Sequence, residues 1–241
     1  MSSTEPGTKT RPNAEAVGWR ALAIVAIMFR ANLERELTEE RRASDVASQL
    51  DGLLRNWIDR EGVGAHLAPA ERTLLEQPLG SWKPAGVAEA SWQNEAVGAL
   101  LWASGEIETL PPYDTQFDLY SIISDLPVFG DPASFLQRLQ LQSDAAIDNA
   151  FATARAWYWR ARAAELFRRS GLSPAPQNLQ AALDATGVEP LKGDFAAFGK
   201  PYRELLPEET ATCSAIASAR YHALNWLVGQ ASSWDEPAPS P

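Results

Sequence analysis

Two ionisable residues, Glu95 and Arg220, fall on apolar helical stripes, where an unpaired charge is costly to bury. Trp92, Glu95, Ala99 and Trp102 recur at spacings of 3, 4 and 3, which sets the Glu95 carboxylate between two indoles on one helix face. Ile216, Arg220, Ala223 and Leu227 recur at 4, 3 and 4. A carboxylate and a guanidinium in such places either neutralise an opposite charge or do acid–base and anion-binding work. The expectation is that both are partly buried and find opposite charges, each other among them. Two further readings stay open for Glu95, which lies within a turn of its helix start: it complements the helix dipole, or it serves catalysis.

Other residues could join a site. Arg155, Arg160 and Arg162 surround Trp157, Tyr158 and Trp159, and Arg155 is one turn from Trp159, close enough to lay a guanidinium over the indole or to bind a carboxylate or phosphate. His222 and Asn225 share a polar face with Ser218. A ligand cleft would therefore gather Glu95, Arg160, Arg220, His222 and Asn225, supported by Trp92, Trp102, Trp159, Trp226 and Trp234. Trp234 follows the last helix and must fold back or stay exposed. No catalytic residue is assigned, because no Gly-x-Ser-x-Gly elbow, phosphate-binding glycine loop or dinucleotide fingerprint occurs. With His66 and His222 as the two imidazoles and Cys213 as the one thiol, no metal site and no cofactor are expected. Cys213 reads as a small residue packed on a helix.

The 241 residues carry 21 Lys plus Arg against 31 Asp plus Glu, a net charge of −10. That balance argues against nucleic acid and against anionic membranes as partners, since both need clustered basic residues. At 45% hydrophobic, the chain can bury a core. The apolar run from Ala21 to Phe29 is too short to cross a bilayer and reads as a buried helix. A single cysteine and the lack of a recognisable export signal lead to the expectation of a cytoplasmic protein.

These side chains must be positioned by helices. Residues 1–14 and 237–241 read as disordered tails, and 15–236 as one compact, irregular helical domain. A central helix follows the first tail. Val46, Leu50, Leu53, Leu54, Trp57 and Ile58 mark an amphipathic surface helix with Ser44 as N-cap and Gly62 as its stop. A short helix starts at Pro69, then comes a loop holding Pro78, Gly80, Pro84 and Gly86. Ser91 is expected to cap a core helix through Ser104. A long helix runs from Ser143 to Ser170 before Gly171, a Pro-rich break holds Pro174 and Pro176, and a short helix covers 178–185. Residues 192–207 read as an ordered loop or hairpin, and the last helix runs from about Thr210 to Val228. Strand–helix alternation and fixed repeats are absent, so the fold class is mostly α.

The segments ASWQNEAVGALLWASGEIETLPPYD (90–114), AWYWRAR (156–162) and ARYHALNWLVGQASSWDE (219–236) resemble, in order and spacing, the bacterial family catalogued as domain of unknown function 4272. The resemblance covers about residues 20–236. Its matching positions are Trp92, Glu95, Trp102, Trp159, Arg160, Arg220, Asn225, Trp226, Trp234 and Asp235. An acidic residue commonly precedes the arginine of the last helix in that family, whereas Ala219 stands here. The resemblance implies one helical domain and no particular activity. The functional expectation is a non-enzymatic protein-interaction module of adaptor or immunity type, whose acidic surface steers a basic partner. The alternative is a small-molecule binder or enzyme built on the five-residue cleft.

Overall fold

The apolar run near the N-terminus becomes the central helix. The computed structural model describes residues 10–40, 43–171 and 176–239. In it α1 (Ala14–Thr38) starts at Asn13, whose side chain accepts the Ala16 N–H. By length and composition α1 could cross a membrane, but most of its surface is buried against other helices. It packs on α2 (Ser44–Arg60), α4 (Pro84–Ser91), α5 (Asn94–Ala103) and α6 (Ala133–Arg138). The helix α5 lies between α1 and α9 (Pro207–Leu227), and α9 packs along α7 (Asp144–Ser170). The shorter α3 (Pro69–Glu76) and α8 (Pro176–Asp184) cover the edges of this bundle. The hairpin expected near 192–207 is present as β1 (Ala196–Ala197) and β2 (Lys200–Pro201), antiparallel, with Ala196 opposite Pro201. Mostly α is thus the observed class.

Two starts differ from expectation. Ser44 is the first helical residue of α2 rather than its cap; Ala43 holds the cap position, and no side chain bonds there. Ser91 does not begin the core helix. It ends α4, a helix that Pro84 opens from what reads as loop, and α5 starts at Asn94. Proline at a first helical turn loses no needed N–H, and the same logic opens α3 at Pro69 and α9 at Pro207, three residues earlier than Thr210. In both of those helices a glutamate in the first turn reaches back: Glu71 accepts the Ala68 N–H and Glu209 the Leu206 N–H. Ser143 caps α7 as expected, and Gly171 ends it with φ of 72°.

Of the two expected tails, residues 1–9, 240 and 241 lie outside the described residues, as does Pro174. The described parts are tied down. Arg11 pairs with Asp144 and Asp148 at the start of α7, and the Tyr221 hydroxyl donates to the Pro239 carbonyl.

The main core is lined by α1, α5 and α9. A smaller cluster of Trp157, Leu183, Phe195, Tyr202 and Cys213 joins α7, α8, the hairpin and α9. Tyr113 and Tyr158 pack against both. Gly98 in α5 is where the Phe117 ring approaches: a Cβ there would sit 2.7 Å from Phe117 Cγ. Gly98→Val should therefore lose about 2 kcal/mol by overpacking, despite the better helix propensity of Val. The check is a lowered urea midpoint with an unchanged slope.

Candidate functional site

Glu95 and Arg220 do find each other. Arg220 Nε donates to Glu95 Oε2 at 2.9 Å, and Nη2 lies 2.8 Å from the same oxygen. The side chains are 0% and 1% exposed. The other Glu95 oxygen accepts the Phe117 N–H at 2.7 Å, and Arg220 Nη1 donates to the Pro111 carbonyl at 2.6 Å. The pair thus fastens both ends of the 111–117 segment to α5 and α9. The Arg220 guanidinium also lies 4.9 Å from the Tyr113 ring centre, and burial pushes the Tyr113 hydroxyl pKa up against the opposing charge of Arg220.

Arg160 belongs to a different place. Its guanidinium grips Asp194 through two bonds of 2.8 and 2.9 Å, and Asp194 also accepts the N–H groups of Phe195 and Arg203. Burial raises the pKa of the Asp194 carboxyl, but Arg160 and those two amides outweigh burial and hold it below 3.8. The bond to Arg203 sets the exit of the hairpin. Arg155 sits 5.9 Å from the Phe151 ring rather than over Trp159.

His222 stands at a third position, edge-on to Trp234 at 4.7 Å. Trp234 has folded back and is buried, with Arg20 4.9 Å from its ring centre and Trp226 edge-on at 5.6 Å. Asn225 is 1% exposed, and its Oδ1 meets no donor among the described residues. Trp92 and Trp159 are half-buried and line neither of the two cavities described below. The five polar residues therefore do not converge on one cleft: Glu95 and Arg220 pair with each other, Arg160 grips Asp194, and His222 stands against Trp234.

Both histidines lie near Arg20. The pKa of His222 is lowered from 6.5 by burial first, with a hydrogen bond to the Trp234 backbone opposing and Arg20 adding to the fall. His66, stacked on Trp19 and more exposed, is lowered by burial and then by Arg20. A folded state that holds these rings neutral binds fewer protons than the unfolded chain. Their contribution is then fully present above 6.5 and is lost as pH falls through 6.5 toward the folded values. The melting temperature should fall over that window, and His222→Gln should flatten more of the fall than His66→Gln.

Sequence reasoning missed two further buried charge clusters. Arg20 Nη2 reaches both oxygens of Glu71 at 2.5 Å, and Nη1 donates to the His66 carbonyl. Arg30, 0% exposed, donates to Glu34, to Asp51 and to the Gln77 carbonyl. Glu34 in turn accepts the N–H groups of Gly80 and Trp82. Glu34 lies one turn from Arg30 on α1, whereas Glu71 stands on α3 and Asp51 on α2, so those two partners are found only once helix packing is known.

Among the described residues, two cavities with largely apolar walls are places where a molecule could sit, apart from a third of about 440 Å³ bounded by Glu106, Asp125 and Arg138. The larger, about 760 Å³, lies between α1, the junction of α4 and α5, and the 116–129 segment. Its walls include Met28, Phe29, Phe117 and Val128, and Asn32, Arg35, Asn94 and Asp118 stand among them. Tyr120 on its wall is 76% exposed, and Phe129 is 37% exposed at a φ of 66°. The smaller, about 350 Å³, is lined by Trp102, Pro111, Tyr113, Trp157, Arg220 and Leu224 among others. Of the five predicted polar residues, only Arg220 lines either cavity. Among the described residues, no group of three or more His, Cys, Asp or Glu is placed to hold a metal ion. Cys213 is buried, which pushes its thiol up to about 12 and keeps it protonated.

The family model described as Domain of unknown function (DUF4272) matches residues 3–183. The chain belongs to this family. No curated protein and no solved structure matches it. The DUF4272 match contains every residue lining the larger cleft, whereas Arg220, His222 and Asn225 on α9 lie beyond its end.

Proposed function

We propose that this DUF4272 protein is a non-enzymatic interaction module of adaptor or immunity type, acting in the cytoplasm, and that the larger cleft receives an apolar-anchored, basic segment of a partner protein. The observation that carries this reading is the cleft itself: an apolar floor with an exposed tyrosine and an exposed phenylalanine at its wall, on a body of net charge −10. Clefts that bury an aromatic or aliphatic anchor concentrate binding energy, and polar groups around them fix orientation. The acidic body speeds encounter with a basic partner and disfavours nucleic acid and anionic membranes. The buried charges support the same reading, since Glu95, Arg160 and Arg220 are bonded to structural partners rather than held free toward a substrate.

Selection of a random peptide library on the intact protein, with Tyr120→Asp used to deplete the pool, tests the proposal. Enriched peptides should share one or two large apolar residues flanked by Lys or Arg. They should bind Tyr120→Asp at least about tenfold more weakly. Tyr120 is so exposed that the substitution should leave the melting temperature unchanged within error. Peptides without a common apolar anchor, or with equal affinity for Tyr120→Asp, would overturn it.

A further inference from the structure

We infer that the segment received by the larger cleft is the end of α7 of a second copy of this chain; this rests on the reading of the cleft given above and names its partner. Two stretches of the chain divide the charge between them. Residues 84–137, which supply α4, α5 and the 116–129 wall of the cleft, hold eight Asp or Glu and no Lys or Arg. Residues 155–169 of α7 hold five arginines and one acid, Glu165. Arg160 is taken by Asp194, while Arg162 and Arg169 share Glu165. Arg155 and Arg168 meet no carboxylate among the described residues. On the cleft side, Arg35 and Asp118 balance each other on the lining, and Asp125 and Asp131 extend its wall as acids.

The same end of α7 carries an anchor. Leu166 and Phe167 are 52% and 50% exposed, the one adjacent pair of large exposed hydrophobics among the described residues. Every residue from there to Gly171 is exposed as well, so the last turn of the helix projects. Trp159, Ala163 and Leu166, at spacings of 4 and 3, continue the apolar strip back along the helix, and Trp159 packs against neither core cluster. Large apolar side chains on a helix, followed by Arg168 and Arg169, are what an apolar cleft on an acidic body selects. The cleft, at about 760 Å³, has room for both side chains, and Tyr120 stands exposed at its wall. Within one chain the two surfaces do not meet, since no residue of α7 lines the cleft. They are unlike surfaces, so copies join head to tail, into a ring or an open chain.

Sedimentation of the intact protein from micromolar to millimolar concentration tests this. The average mass of wild type should rise past that of a dimer, and salt should weaken the assembly. Tyr120→Asp spoils the cleft, and Leu166→Gln combined with Phe167→Gln spoils the anchor. Each should raise the dissociation constant at least about tenfold. All three side chains are exposed, so the melting temperature at low concentration should hold. Mixed together, the two variant proteins should form a one-to-one complex that grows no further, because one keeps the anchor and the other the cleft. Wild type that stays monomeric while selected peptides still fill the cleft would overturn the second copy as occupant and leave the cleft reading in place. Assembly lost in the α7 variant but kept by Tyr120→Asp would mean that α7 ends pair with each other, and would overturn it. Capture of monomeric wild type by vesicles of anionic phospholipid, lost in the α7 variant, would assign the helix end to a lipid surface and overturn it too.

Discussion

Arg220→Ala should lower the free energy of unfolding by about 3–5 kcal/mol, as removal of one partner from a buried ion pair does. The remaining Glu95 carboxylate would be 0% exposed and held by the Phe117 N–H alone. The Pro111 carbonyl would lose its donor at the same time. Glu95→Ala should cost a similar amount. The double variant Glu95→Leu with Arg220→Met should lose less than either single change, because an apolar pair of similar volume has no charge to desolvate. Urea denaturation of wild type and these three variants measures the differences. A pair kept for catalysis rather than for the fold would give single variants of near wild-type stability.

Arg30→Met should fall at the upper end of the same range, because it strands two carboxylates, Glu34 and Asp51. Arg55 still reaches Asp51 at 2.8 Å, so Glu34 bears most of the loss. The damage should spread from α1 to the 77–82 loop, whose Gly80 and Trp82 N–H groups rest on Glu34 and whose Gln77 carbonyl rests on Arg30. The check is urea denaturation of wild type and Arg30→Met, comparing the loss with that of Arg220→Ala.

The sequence revealed Glu95 and Arg220 because each interrupts a clean apolar stripe, and a charge in such a place needs a partner. Arg20 and Arg30 carried the same message less clearly. They bound the run from Ala21 to Phe29, and so read as its ends rather than as residues of one helix buried on nearly every side. Arg160 was legible among its aromatic neighbours, but its partner Asp194 sits in a Gly-containing turn 34 positions away, where no period points. The start of α4 was hidden because Pro84 and Gly86 resemble loop punctuation, although proline suits a first helical turn. The larger cleft was not legible at all. Its outer wall is the 116–129 segment, short turns with a phenylalanine at positive φ, which has no repeating pattern to read. The convergence expected of Glu95, Arg160, Arg220, His222 and Asn225 failed because spacing along a helix fixes a face and not what packs against it.

The most direct measurement is isothermal titration of the tightest selected peptide into wild type and Tyr120→Asp, each at low and high salt. The account predicts one-to-one binding with a negative heat-capacity change from apolar burial, weakened by salt and weakened at least about tenfold by Tyr120→Asp. Equal affinity for the two proteins, or binding that ignores salt, would contradict it.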